Sequence, residues 1–271
     1  MRKIYLVLSI IFGLYSCASD IDTLDSEMTS IEVSSKSSSE NVKLISAWTA
    51  NRSSPVQINY QRKFKVKVKN LAYQKEVAIH HATNDGDWVD IPLTYDQSIG
   101  NDEEIWVGEV TPDYEMYSTD FVVKYTVDGQ TYWDNNNGKN YSMLVNMGGF
   151  LAPDVHVEVN DSFTRSAGTS FAINVNARRN YGANVTVEVV YTTDNWVTKN
   201  TVPMSYQRYF RVGYAHYIMS PNQFDVDVYD TLIRVHDEVQ SIEFAIVYKV
   251  NGEEYWDNNY GNNYTLDKIF Y

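Results

Sequence analysis

The sequence predicts an all-β protein made of two antiparallel β-sandwiches in tandem, and three observations carry that prediction. Apolar residues recur with a period of two rather than 3.6. Turn dipeptides, "DG" at Asp128-Gly129 and "NG" at Asn251-Gly252, sit between β-rich runs. The stretch "TYWDNNNGKNY" (Thr131 to Tyr141) returns almost unchanged as "EYWDNNYGNNY" (Glu254 to Tyr264). No stretch carries a helical stripe.

The elements follow in chain order. Arg2 and Lys3 precede an apolar run, Ile4 to Tyr15, that is too short to span a membrane. It ends in "LYSC" (Leu14 to Cys17), which resembles the lipobox of bacterial lipoproteins. That resemblance implies cleavage after residue 16 and acylation of Cys17, hence an exported chain held to the outer membrane by lipid. The competing reading is an ordinary signal peptide cut a few residues later. Cys17 is the sole cysteine, so no disulfide framework exists. Residues 17–40 are acidic and serine-rich and read as a flexible tether.

The rest divides into two units, 41–146 and 147–271. In the first, "FKVKVKNL" alternates so that Phe64, Val66 and Val68 share a face. "VAIHHATNDGDWVD" (Val77 to Asp90) and "FVVKYTVDGQTYWDNNNGKNY" (Phe121 to Tyr141) continue the pattern. In the second, "VTVEVVYTTDNWVT" (Val185 to Thr198) and "FAIVYKVNGEEYWDNNYGNNY" (Phe244 to Tyr264) answer them. Each early segment places a tryptophan, Trp88 or Trp196, eleven residues after its leading valine. The second unit is longer between its halves, and the join "LVNMGGFLAPD" is short enough to hold the units in a fixed relation. Two sandwiches of immunoglobulin-like appearance fit this spacing of strands and turns.

Composition restricts function. A formal charge of −13 leaves no electrostatic footprint for nucleic acid. Aromatics make up 14% of the chain, with 22 tyrosines, residues that join a flat apolar ring to a polar tip. The repeated asparagine burst admits three readings. It can be a turn, since Asp and Asn bond nearby backbone and tolerate the left-handed region. It can be a calcium loop, but the order of ligands is wrong and no bidentate Glu follows, so no metal is expected. It can be a sugar site, where Trp or Tyr lies on the C–H face of a pyranose and Asn amides pair with hydroxyls.

The third reading gains from a family resemblance. "VKVKNLAYQKEVAIHHATNDGDW" followed by "FVVKYTVDGQTYWDNNNGKNY" is similar to the family 21 carbohydrate-binding modules, starch- and glycogen-binding β-sandwiches. The first unit matches at Val68, Asn70, Tyr73, Lys75, Val77, Trp88, Trp133, Asp134, Asn135, Asn136, Asn140 and Tyr141. The second matches at Tyr181, Val185, Trp196, Trp256, Asp257, Asn258, Asn259, Asn263 and Tyr264, and departs at its start, "NVNARRNYGAN". The resemblance implies that Trp88 with Trp133, and Trp196 with Trp256, form sugar platforms. It places Asn136, Asn140, Asn259 and Asn263 near the sugar, and Tyr73 and Tyr181 at a second site used by some members. Val122 and Ala245 stand where some members carry a further platform tyrosine.

Catalysis finds no support. Glu103-Glu104 and Glu253-Glu254 are adjacent pairs that a strand would point to opposite faces, and His80 and His81 likewise. No nucleophile signature, phosphate loop or cofactor motif is present. The expected function is non-catalytic capture of an α-glucan and its presentation to separate amylolytic enzymes or a transporter. The other class is a structural or adhesive lipoprotein whose tryptophans are buried.

Overall fold

The computed structural model describes residues 40–110, 119–181 and 184–269. The expected leader, Cys17 and all but the last residue of the tether lie outside them. The described residues belong to one compact unit and are β throughout, apart from a single 3-10 turn at Asn259–Gly261.

The first sandwich comprises β1 (Val42–Asn51), β2 (Tyr60–Lys69), β3 (Lys75–Ala82), β4 (Trp88–Pro92), β5 (Thr94–Gly100), β6 (Glu103–Val110), β7 (Asp120–Val127), β8 (Gln130–Asp134), β9 (Tyr141–Ser142) and β10 (Gly148–Leu151). One sheet runs β10-β1-β2-β6-β5 and the other β4-β3-β7-β8, with β9 beside β7. Phe64, Val66 and Val68 alternate inward as the period of two requires, and meet Val77, Ile79, Phe121, Val123 and Tyr125 from the facing sheet. Asp128 and Gly129 have φ of 49° and 73°, the paired positive values of a type I′ turn; Asn251 and Gly252 repeat them at 53° and 86°.

The second sandwich comprises β11 (Val157–Val159), β12 (Arg165–Ala167), β13 (Ser170–Arg178), β14 (Val185–Thr192), β15 (Asn200–Pro203), β16 (Ser205–Tyr206), β17 (Tyr209–Arg211), β18 (Tyr217–Met219), β19 (Val226–Arg234), β20 (Ser241–Val250), β21 (Glu253–Asp257) and β22 (Tyr264–Asp267). Its sheets run β11-β13-β19-β16 and β15-β14-β20-β21, with β12 on β13 and β22 on β20. Phe171, Ile173, Val175, Val187, Phe244 and Ile246 fill the core between them. The extra length of this unit makes the separate hairpin β17–β18.

Two features depart from the expected layout. Strand β10 pairs with β1, from Ser46↔Leu151 to Thr49↔Gly148, so the first sandwich continues past residue 146. A bare β1 would present an open row of N–H and C=O groups, and the chain covers that edge before crossing. The hairpin β17–β18 also reaches back: Val212 and Ile218 pack on Trp48 and Ala50 of β1, with Phe163 and Phe210 around them. The lysines that alternation directs outward from β2 meet acids of the second unit, Lys63 with Asp161 at 2.9 Å and Lys65 with Glu158 at 2.6 Å.

Candidate functional site

In the first unit the outer face of the sheet β4-β3-β7-β8 carries an aromatic row. Trp88 begins β4 opposite Ala82, and Trp133 on β8 lies opposite Lys124. His80 stands between them. Its ring stacks on Trp88 with centroids 5.2 Å apart and planes at 19°, and meets Trp133 edge-on at 5.4 Å. The row is held by Asp90, which accepts from His80 Nδ1 at 2.6 Å and from Lys124 Nζ at 2.6 Å. Burial works against the Asp90 carboxylate, yet the hydrogen bonds from Lys124 and His80 outweigh it and hold its pKa below the ordinary value. Lys124 lies 6.0 Å from the Trp133 ring centre, within cation–π range. Both tryptophans are half-buried, so each is held by its neighbours and still presents surface.

His81, the next residue, points the other way. It is completely buried against Phe121, accepts from Arg62 at Nε2, and bonds through Nδ1 to the carbonyl of Ala82 at 2.6 Å. Burial first, and the neighbouring guanidinium second, lower its pKa to about 4.

The asparagine stretch builds itself into a loop, and does so twice with the same set of partners. Asp134 is buried and its Oδ2 accepts from the Leu44 N–H and the Tyr141 hydroxyl, each at 2.8 Å. Asp257 repeats both bonds, with the Val159 N–H at 2.7 Å and the Tyr264 hydroxyl at 2.8 Å. Each aspartate thus ties the closing loop to the first strand of its own sandwich. Asn136 donates its amide to the Asn140 carbonyl at 3.0 Å, and Asn259 to the Asn263 carbonyl at 3.1 Å. Asn135 and Asn258 accept from the N–H groups of Gly138 and Gly261 at 3.0 Å. Asn136, Asn140, Asn259 and Asn263 all have φ between 52° and 56°, the left-handed region that asparagine tolerates best after glycine. The turn-building role therefore accounts for much of this composition, and the loop stands directly beyond Trp133 and Trp256.

The second unit differs above the loop. Trp196 sits in the bend before β15 with φ of 67°, and its Nε1 donates to Glu243. Trp256 on β21 is 51% exposed. Register sets Val190 opposite Ala245 as it sets His80 opposite Val122, so no imidazole bridges this pair. Trp256 instead lines a cleft of about 360 Å³ with Asn258, Tyr260 and the segment Asp154–Val157. The loop beside it is gripped from the first unit: Gln97 donates to Asn259 Oδ1 at 2.6 Å and accepts from Asn262 Nδ2 at 2.7 Å.

Tyr73 is 98% exposed and lies in the β2–β3 connection, at the end of β3 opposite to Trp88. Tyr181, in the corresponding place before β14, donates to Asp225 at 2.6 Å with Arg179 over its ring at 5.2 Å. Neither belongs to the tryptophan row. His80 and Tyr260 were not singled out by sequence. His80 was legible in principle, as the outward partner of the inward Ile79 and His81 on a period-two strand.

Comparison with known proteins follows the same lines. The model of the carbohydrate/starch-binding module (family 21) matches residues 63–144 and 163–267, more than half of the chain. Protein phosphatase 1 regulatory subunit 3B of Homo sapiens is 35% identical over 85 residues, 29% of this chain and 30% of its own length. Glucoamylase 1 of Rhizopus oryzae is 33% identical over 111 residues, 37% of this chain and 18% of its own. The chain thus spans less than a third of either relative. Among solved structures, the starch-binding domain of Rhizopus oryzae glucoamylase, in complex with beta-cyclodextrin and maltoheptaose, is 29% identical. That match covers 39% of this chain and 94% of the domain, with a TM-score of 0.31.

Proposed function

The chain belongs to the family 21 carbohydrate/starch-binding modules, and from that premise we propose that it captures α-glucan of the starch or glycogen type without cleaving it. The observation that carries this reading is the row Trp88–His80–Trp133, braced by Asp90 and Lys124. Two indoles on the open face of a rigid sheet suit the apolar faces of successive glucose rings. Their preorganisation means that little side-chain freedom is lost on binding. Stacking on one aromatic is worth roughly 1–3 kcal/mol by analogy with bases. Two rings with a few water-competed hydrogen bonds correspond to a Kd of roughly 10 µM to 1 mM.

A second module on the same chain turns the second capture into an intramolecular step, which raises avidity for a polymer by ~10²–10⁴. Within this proposal the leader and Cys17 anchor the protein by lipid to the outer membrane. The bound glucan is there presented to amylolytic enzymes or a transporter.

The test is a native gel of residues 41–271 cast with soluble starch, with dextran and xylan as controls. Retardation by starch alone, lost on combining Trp133→Ala with Trp256→Ala, is the expected result. Unchanged mobility of the wild-type protein in starch would sink the proposal and leave the adhesive reading.

A further inference from the structure

The imidazole in the tryptophan row keeps one nitrogen unused. On the outer face of its sheet His80 has short neighbours: Ala78 and Ala82 along its own strand, and Val122 directly opposite on β7. It is therefore the ring that occupies the ground between the two indoles, 5.2 Å from Trp88 and 5.4 Å from Trp133.

Its carboxylate partner decides which nitrogen is left. Asp90 stays ionised, since the hydrogen bonds from Lys124 and His80 hold its pKa below the ordinary value. An ionised carboxylate only accepts, so the 2.6 Å contact with Asp90 Oδ1 places a proton on His80 Nδ1. In the neutral ring the lone pair then lies on Nε2. That atom has no partner among the described residues, and it is not one of the enclosed side-chain atoms that lack a hydrogen bond. With the side chain 21% exposed, solvent reaches Nε2. The contrast is His81, whose Nε2 is taken by Arg62 and whose Nδ1 by the Ala82 carbonyl. Asp90 has nothing comparable to offer, because Oδ1 serves His80 and Oδ2 serves Lys124.

A pyranose lying on an indole carries its hydroxyls around its rim, and each hydroxyl can donate to an accessible lone pair. We infer that His80 is a sugar-contacting residue of the first module, its Nε2 accepting a hydrogen bond from a glucose hydroxyl. Asp90 is the positioning residue that keeps the lone pair on that nitrogen. The inference rests on the α-glucan reading above. It adds a group that selects for hydroxyls to indoles that select for flat apolar faces. It also makes the modules unequal, because Val190 holds the register position of His80 in the second and brings no acceptor.

The experiment labels residues 41–271 with ¹⁵N-histidine and titrates them with maltoheptaose at about pH 8, above the ~6.5 of an ordinary imidazole. Long-range ¹H–¹⁵N correlations separate Nδ1 from Nε2 in each of the five histidines, and a His80→Gln variant assigns the His80 pair. The Nε2 line of His80 is expected to move saturably toward the protonated range, and the His216 and His236 lines to stay in place. Calorimetric titration of the same sugar in a Trp256→Ala background then reads the first module alone. There His80→Phe, which keeps a ring beside Trp88 without a nitrogen, should weaken binding by roughly twofold to twelvefold, the equivalent of one hydrogen bond.

A stationary Nε2 line beside saturable binding heat overturns the contact and leaves His80 as packing. Equal affinity of His80→Phe overturns it as well. Absence of binding heat in the wild-type protein counts against the α-glucan reading itself, and the His80 contact falls with it.

Discussion

Replacing Asp134 by alanine distinguishes brace from sugar ligand at the heart of the repeated motif. The carboxylate is 3% exposed and accepts from Leu44 N–H and the Tyr141 hydroxyl, residues that are themselves 0% and 9% exposed. Truncation strands both donors out of reach of water. At about 1–3 kcal/mol for each orphaned group, the cost is roughly 2–6 kcal/mol. For a compact body of about 150–250 residues a kilocalorie moves Tm by about 2–4 °C, so Asp134→Ala should melt roughly 4–24 °C below wild type. Asp257→Ala should do the same through Val159 and Tyr264. Differential scanning calorimetry measures the loss, and a starch gel run well below the new Tm measures binding. Near wild-type stability together with lost binding would refute the reasoning, because the aspartate would then be reading sugar rather than holding the loop.

The remaining predictions concern platform, pH and the junction between units. Trp133→Ala should weaken starch binding by roughly 5- to 150-fold, the equivalent of one stacked ring, with Tm changed far less than in Asp134→Ala; equal affinity would remove Trp133 from the platform. His81 has its pKa lowered to about 4 from an ordinary 6.5. On acidification the unfolded chain takes up the proton first, so stability is lost as pH falls from 6.5 to 4, by ~3 kcal/mol in all. Denaturant unfolding of wild type against His81→Gln across that window should show a difference that closes at low pH, and parallel curves would contradict it. Gln97→Ala should speed amide exchange in residues 258–263 while both cores stay protected; unchanged exchange would mean the clamp carries no energy. A chain ending at residue 146 lacks β10, and should bind a hydrophobic dye that a chain ending at 152 binds less; equal dye binding would show that β1 needs no cover.

The sequence made the sheets legible because alternation and turn chemistry act locally. Phe64, Val66 and Val68 face inward since a strand leaves no other choice, and Asp128-Gly129 turns because its φ values are cheap for those residues. The recurrence of Trp88 and Trp133 as Trp196 and Trp256 was legible by repetition. What escaped depends on register between strands distant in sequence. His80 joins Trp88 and Trp133 only through the pairing of β3 with β4 and β7, which no window along the chain reports. The asparagines were readable as a turn or as ligands, and only their partners reveal how far the turn employs them. The meeting of the units was invisible for a similar reason: the lysines of β2 look solvent-facing until Glu158 and Asp161 arrive from about a hundred residues away.

The return of β17–β18 onto β1 carries a consequence for the order of events in synthesis. Chains emerge N-terminus first and tend to fold as they emerge. Here the leading sandwich cannot complete its sheet until residue 151 is out, and its Trp48 keeps an apolar flank uncovered until the hairpin at 209–219 follows. The duplicated architecture thus forms in a staggered sequence, with a sticky interval between its halves, and the young chain depends on a late segment to finish an early one. Pulse proteolysis of ribosome-stalled chains, ending near 165 or near 235, would time that interval. Full protection in the shorter chain would show that the first half matures alone.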